Sequence, residues 1–279
     1  MTDRTLERPP LIAGLAEQWD AIAALVADLD ETGWRTASPL PGWTVFDVVA
    51  HVVGTESWLL GEKPPALPDG VEKIDVRTLP HVRNDTAALN EIWVQRLRPR
   101  SGAQLLELYR EVIDRRRKAL AAMDDAQWQA ETPSPIGQVS YGRFMRVRLF
   151  DCWMHELDIA DALGVTVDEG GARAELAFAE FAGSIPRVVV KRGGAPQGSR
   201  IAVTLTGPLA RELRIQVDGR AAYVESFDGP ETVGIRLDSG LFVRLGGGRT
   251  AAADHLGEIA ITGDAELGRR LVDNLAFTL

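Results

Sequence analysis

A single cysteine, Cys152, stands in 279 residues, which excludes an intrachain disulfide framework and any cysteine-rich zinc cluster. If a metal is held, its ligands are imidazole and carboxylate. Cationic excess is missing as well: 31 Lys and Arg against 40 Asp and Glu leave a formal net charge of -9. Counterion release onto phosphates therefore has no cluster of cations to start from, and neither nucleic acid nor an anionic membrane is expected as a partner. No apolar run approaches the ~20 residues that a bilayer-spanning helix requires. The first residues mix both charges and lead into no signal-like hydrophobic segment, so a cytoplasmic location is expected. Absent too are the G-x-S-x-G nucleophile elbow, the P-loop and the Rossmann glycine fingerprint. With four histidines and one cysteine, no nucleophilic side chain has an evident base beside it.

What remains is the composition of an ordinary globular protein, 45% hydrophobic and 25% charged, long enough for two domains. The basic run Arg115-Arg116-Arg117-Lys118 is bracketed by Glu107, Glu111, Asp114, Asp124 and Asp125, where pairing along a helix is the plain reading. From Leu11 to Leu29 the apolar positions recur every three or four residues and predict an amphipathic helix closed by Gly33. Ser38 to Gly42 is a turn. Thr44 with Asp47 then has the form of a capping box opening a helix that carries His51 and runs to about Leu60. Asp47 either caps or accepts a hydrogen bond from His51. Gly61 to Pro80, with Pro64, Pro65, Pro68 and Gly70, reads as a long irregular loop of the kind used for lids. His81 follows it and is expected in solvent.

Helical pattern returns from Asp85 to Leu97, and Ser101 with Gln104 opens another helix reaching Met123. Thr132 to Gly137 is a breaker cluster. After it a helix runs from about Tyr141 to Leu163, with Gly164 in the left-handed closing position. All seven tryptophans lie at or before Trp153, and Val165 to Gly171 is rich in glycine, which places a domain boundary there: residues 1–168 and 169–279. The second part has a helix from Gly171 to Phe181 stopped at Ile185-Pro186. Strands follow at Arg200–Thr206, Leu213–Val217 and Thr232–Leu237, a short helix near Leu241–Leu245, a strand at Glu258–Ile261 and a helix from Asp264 to Phe277, an α+β arrangement.

The chemistry-bearing residues gather on Asp151-Cys152-Trp153-Met154-His155. In a helix Asp151 and His155 rise from one face within reach of one ion, and His51, ending an apolar run, is the third donor. Two imidazoles and a carboxylate suit zinc or a similar divalent ion, and three protein ligands leave room for a further one. Asp158 shares the face and either accepts from His155 or meets solvent. D-x-x-x-H alone is a weak signal, since Asp151 can simply pair with Arg148 and His155 can be a hydrogen-bonded core histidine. Cys152 points away from that face and reads as a small buried hydrophobe. Gly246-Gly247-Gly248-Arg249 reads as a flexible loop.

Leu40-Pro41-Gly42-Trp43-Thr44-Val45-Phe46-Asp47-Val48-Val49-Ala50-His51, with Trp153-Met154-His155 and Asp158-Ile159-Ala160-Asp161-Ala162-Leu163-Gly164, resembles the mycothiol-dependent maleylpyruvate isomerase family of the DinB-like superfamily. Gly248-Arg249 and Thr262-Gly263-Asp264 are similar to that family's sterol-carrier-like second domain. The resemblance implies a DinB-like, metal-binding four-helix bundle followed by a smaller α+β domain. It also implies a metal, usually zinc, on residues matching His51, His155 and Asp151. The family's carboxylate is a glutamate; here it is Asp151, one methylene or ~1.5 Å shorter. Mycothiol is implied as cosubstrate, together with an arginine of the second domain, for which Arg249 is the candidate. The expected function is a metal-dependent enzyme that uses this thiol as nucleophile on a small electrophilic substrate, as isomerase or thiol transferase. The alternative is a non-catalytic module clasping a small apolar ligand between its two domains.

Overall fold

Thr44 opens the central helix of the N-terminal half with a reciprocal capping box: its hydroxyl accepts from the Asp47 backbone N–H, and the Asp47 carboxylate accepts from the Thr44 backbone N–H. The computed structural model describes residues 8–67 and 69–278. The first seven residues, and Pro68 of the expected loop, lie outside that range. The chain divides into two compact units, one ending at Val167 and the other beginning at Asp168.

The first unit contains helices α1 (Arg8–Val26), α2 (Glu31–Trp34), α3 (Val45–Leu59), α4 (Asp85–Leu97), α5 (Gly102–Ala122) and α6 (Asp125–Gln129), then a hairpin of β1 (Glu131–Ser134) and β2 (Gly137–Ser140), and finally helix α7 (Tyr141–Leu163). Helices α1, α3, α5 and α7 pack as the expected four-helix bundle, with α4 laid against α3. The central position of α3 is written in its composition. Only Thr55, Trp58 and Leu59 of its residues escape burial, as expected of a helix that is apolar on nearly every side. Leu15, Trp19 and Ile22 of α1 and Leu149, Trp153 and Leu157 of α7 fill the interior beside it. Gly164 closes α7 at φ 65°, a left-handed conformation that glycine adopts without cost.

Several expectations are corrected here. The first helix ends at Val26 rather than Leu29, because Asp30 caps a new short turn through the Gly33 N–H at 2.8 Å. The loop after α3 contains a 3₁₀ turn at Val76–Thr78, pinned by the burial of Val76. The breaker cluster at 132–137 is a hairpin, with Thr132 opposite Val139 and Ser134 opposite Gly137. Pro133 falls on a strand of this two-stranded hairpin and Pro135 in its turn, both settings that tolerate a missing donor.

The second unit contains α8 (Gly171–Lys191), β3 (Arg200–Thr206), β4 (Arg211–Asp218), β5 (Arg220–Tyr223), β6 (Val233–Asp238), α9 (Ser239–Gly246), β7 (Ala260–Gly263) and α10 (Ala265–Asp273). The strands form one sheet in the order β5-β4-β3-β6-β7. β3 and β6 are parallel, and the other neighbours antiparallel. This is the expected α+β arrangement, with β5 an addition that the period-two pattern was too short to reveal. Helix α8 continues through Pro186, since Ile185, Val188 and Val189 carry its buried stripe past the proline; their burial offsets the ~3 kcal/mol a helical proline costs. Phe181 meets Phe242 edge-on at 5.4 Å and Phe277 at 5.2 Å. The strand expected at 258–261 lies two residues later, and α10 ends at Asp273 instead of continuing to Phe277.

Candidate metal centre

Helix α3 presents His51 and helix α7 presents Asp151 and His155, and the three offer one donor atom each, all within 4.8 Å of one another. Oδ2 of Asp151 is the shared corner. It lies 3.3 Å from Nε2 of His51 and 3.6 Å from Nε2 of His155. Donors held about 2.0–2.1 Å from a tetrahedral ion stand roughly 3.3–3.4 Å apart, so the donor types and the two separations from Asp151 suit a zinc-like cation, with all three atoms inside 4.8 Å. The shorter aspartate side chain reaches the imidazoles directly.

The two imidazoles are supported differently. Nδ1 of His155 faces Oδ2 of the fully buried Asp158 at 2.9 Å. A carboxylate only accepts, so Nδ1 carries the hydrogen and Nε2 presents its lone pair to the cluster. Nδ1 of His51 is buried without a hydrogen-bond partner. Asp47 does not supply one: it serves the Thr44 cap and pairs with Arg98 Nε at 2.7 Å. Burial lowers the His51 pKa against the raising influence of Asp151, which favours the neutral imidazole that metals bind.

Asp151 is held well below the usual carboxylate range. Burial pushes its pKa up, and the electrostatic attraction of the groups around it, the facing imidazoles and the Arg148 guanidinium, overcomes that push, although 34% of its side chain remains exposed. Arg148 Nη1 donates to the same Oδ2 at 2.5 Å. The pairing of Asp151 with Arg148 and the grouping of Asp151 with the histidines, alternatives in the sequence, coexist in the fold. Arg148 also donates to Glu56 through Nε at 3.0 Å and Nη2 at 2.8 Å, and Glu56 accepts from Arg116 Nε at 2.7 Å. Arg116 is thus a core residue, unlike its neighbours in the basic run.

Trp43 walls the imidazole pair, its ring centroid 5.4 Å from that of His51 and 6.5 Å from that of His155. Glu91, fully buried on α4, fixes this ring by accepting from Trp43 Nε1 at 2.8 Å. The same oxygen faces His81 Nε2 at 3.0 Å, so His81 is anchored rather than solvated. Gly42, at φ 80°, lies where a Cβ would meet the His81 ring at 2.8 Å, so this corner requires glycine. Glu56 and Glu91 went unread in the sequence. Glu56 had a signal, an acid in the apolar body of α3, and Glu91, next to Ile92, Trp93 and Val94, had a similar one.

Cys152 is fully buried, and burial pushes its thiol up to about 12. Arg249 lies in the second unit, where its Nη1 donates to Gly247 O at 2.5 Å and Thr278 Oγ1 at 3.3 Å.

The family model for the mycothiol maleylpyruvate isomerase N-terminal domain matches residues 15–160, and the MDMPI C-terminal domain matches residues 175–270. Two proteins of Mycobacterium tuberculosis, from strains CDC 1551 / Oshkosh and ATCC 25618 / H37Rv and both named as uncharacterized, are 30% identical over 156 residues. That match covers 56% of this chain and 57% of theirs, so the chain spans little more than half the length of these relatives. A crystal structure of the mycothiol-dependent maleylpyruvate isomerase shares the fold, with a TM-score of 0.58 at 18% identity over 94% of this chain and 96% of that one. A histidine-to-alanine variant of that enzyme gives 0.57 at the same identity and coverage.

Proposed function

Because the chain belongs to the mycothiol maleylpyruvate isomerase family, we propose that it is a metal-dependent enzyme directing a low-molecular-weight thiol, mycothiol, onto a small electrophilic acid. The observation that carries this reading is the convergence of His51, Asp151 and His155, drawn from two helices, on one point. His51 and His155 would hold the cation through neutral imidazole nitrogen, and Asp151 through its carboxylate. Bound there, a zinc-like ion lowers the pKa of a thiol enough to keep it as thiolate near neutrality.

The chain's own residues account for the rest. Asp158 keeps the His155 hydrogen on Nδ1, and Trp43, fixed by Glu91, excludes water from one side of the imidazole pair. Cys152 cannot serve as the nucleophile, being buried with a thiol pushed up to about 12, so the reacting sulfur arrives with a cosubstrate. As thiolate adds to a conjugated cis double bond, a carbon–sulfur bond forms and the π electrons move onto the neighbouring carbonyl. Rotation about the resulting single bond, return of those electrons and departure of the thiolate give the trans isomer. If the enolate instead takes a proton from solvent at its α carbon and the adduct is retained, or a leaving group departs with its electron pair, the outcome is thiol transfer.

Elemental analysis of purified protein, paired with an assay of thiol consumption on an electrophilic acid, tests the proposal. Wild type is expected to hold divalent metal and His51→Ala to lack it, with thiol-dependent turnover lost in parallel. Metal-free wild type, or equal metal in His51→Ala, overturns it.

A further inference from the structure

Arg148 does something at this cluster that a structural ion pair does not require. It stands three residues before Asp151 on α7, and its guanidinium nitrogens are divided between two helices. Nε and Nη2 donate to Glu56 on α3, at 3.0 and 2.8 Å, and Glu56 is itself clamped by Arg116. Nη1 donates to Asp151 Oδ2 at 2.5 Å. The oxygen it holds is the one nearest both imidazoles, at 3.3 and 3.6 Å. Helix α3 therefore carries His51 and the anchor of the brace, while α7 carries the brace, the carboxylate and the second imidazole.

The chemistry of the carboxylate explains why a brace is needed. Asp151 has 34% of its side chain exposed, and a partly exposed aspartate gains rotamer freedom and hydration by turning outward. Glu56 and Arg116 are almost fully buried, 0% and 1% exposed, so the far end of the brace is held by packing and by its ion pair. Two guanidiniums and two carboxylates cancel, and Asp151 can be drawn inward without leaving net charge in the core. An oxygen has a second lone pair, so accepting from Arg148 leaves Oδ2 able to ligate.

We propose that Arg148, seated on Glu56, is the positioning residue that sets the Asp151 carboxylate at the distance from His51 and His155 at which a divalent cation is captured. The inference rests on the metal reading above. Outer-shell partners of metal ligands typically contribute about 10–100-fold in affinity, and that is the effect expected of Arg148.

Metal-stripped full-length protein, titrated with Zn²⁺ against a chromophoric chelator, measures the affinity, and the visible absorption of Co²⁺-loaded protein reports coordination. Arg148→Met is expected to bind Zn²⁺ about 10–100-fold more weakly with altered Co²⁺ bands, and Arg148→Lys, whose single ammonium cannot span both carboxylates, to fall between. Asp151→Asn should also weaken binding. In the Asp151→Asn background, Arg148→Met should cost less than about 2-fold, since its influence passes through the carboxylate. Arg148→Met binding as tightly as wild type with unchanged bands, or losses that multiply in the double variant, overturns the proposal while leaving the metal reading intact. Wild type that takes no Zn²⁺ overturns both. Should Arg148→Met fail to fold, Arg148→Lys decides: wild-type affinity in that variant overturns the brace, and a clear loss supports it.

Discussion

Asp158 faces Nδ1 of His155 at 2.9 Å across less than one helical turn, and it is fully buried while doing so. A buried carboxylate placed there fixes which imidazole nitrogen carries the hydrogen. Asp158→Asn can present its amide N–H₂ to the ring instead of an acceptor, which allows the other tautomer. Zn²⁺ affinity is expected to fall about 10–100-fold, with the far-ultraviolet circular dichroism unchanged. Isothermal titration of metal-stripped protein measures it, and unaltered affinity removes Asp158 from the centre.

Glu56 sits between Arg148 and Arg116 with no exposure. Burial pushes its pKa up, but the two guanidiniums overcome that and hold it below its ordinary value. The stability this supplies is fully present above the carboxylate's unfolded pKa and is lost as pH falls through the lower folded value. The resistance of wild type to urea should fall in that acid window, and Glu56→Gln should show a flatter acid dependence. Glu56→Ala, which strands two buried guanidiniums, should cost about 3–5 kcal/mol near neutrality.

Cys152 should resist iodoacetamide in the native protein at pH 8, since only the thiolate reacts and burial pushes this thiol up to about 12. One alkylation per chain, read by intact mass, is expected only after unfolding in urea. Rapid native labelling would contradict the burial.

Glu91 accepts from Trp43 Nε1 at 2.8 Å, faces His81 Nε2 at 3.0 Å and accepts from Gln95 Nε2 at 2.7 Å. Glu91→Ala leaves those groups unpaired, at a cost of about 1–3 kcal/mol in urea unfolding. It also frees the anchored end of the loop after α3, so trypsin should cut at Lys73 or Arg77 several-fold faster than in wild type. An unchanged digestion rate would show that the loop is held elsewhere.

Local rules were enough for part of this molecule. The capping boxes at Thr44 and Ser101 and the glycine closing α7 were legible because their causes lie within four residues of one another. The spacing of Asp151 and His155 follows from helical geometry alone. The hairpin at 131–140 was not legible although its pairing is local, since Pro133 and Pro135 mask a strand pattern; the passage of α8 through Pro186 was not legible because it depends on burial against the sheet that follows.

Sequence by itself therefore determined the long helices of the N-terminal half and that one of them offers a carboxylate and an imidazole side by side. Only tertiary structure decided that His51, a hundred residues away, shares an oxygen with that pair, and that Glu56, Arg116 and Arg148 form the charged scaffold behind it. The physical reason is range. A helix face is set by backbone geometry repeating every 3.6 residues, whereas the separation of donors on two helices is set by how their side chains pack, which no spacing along the chain encodes.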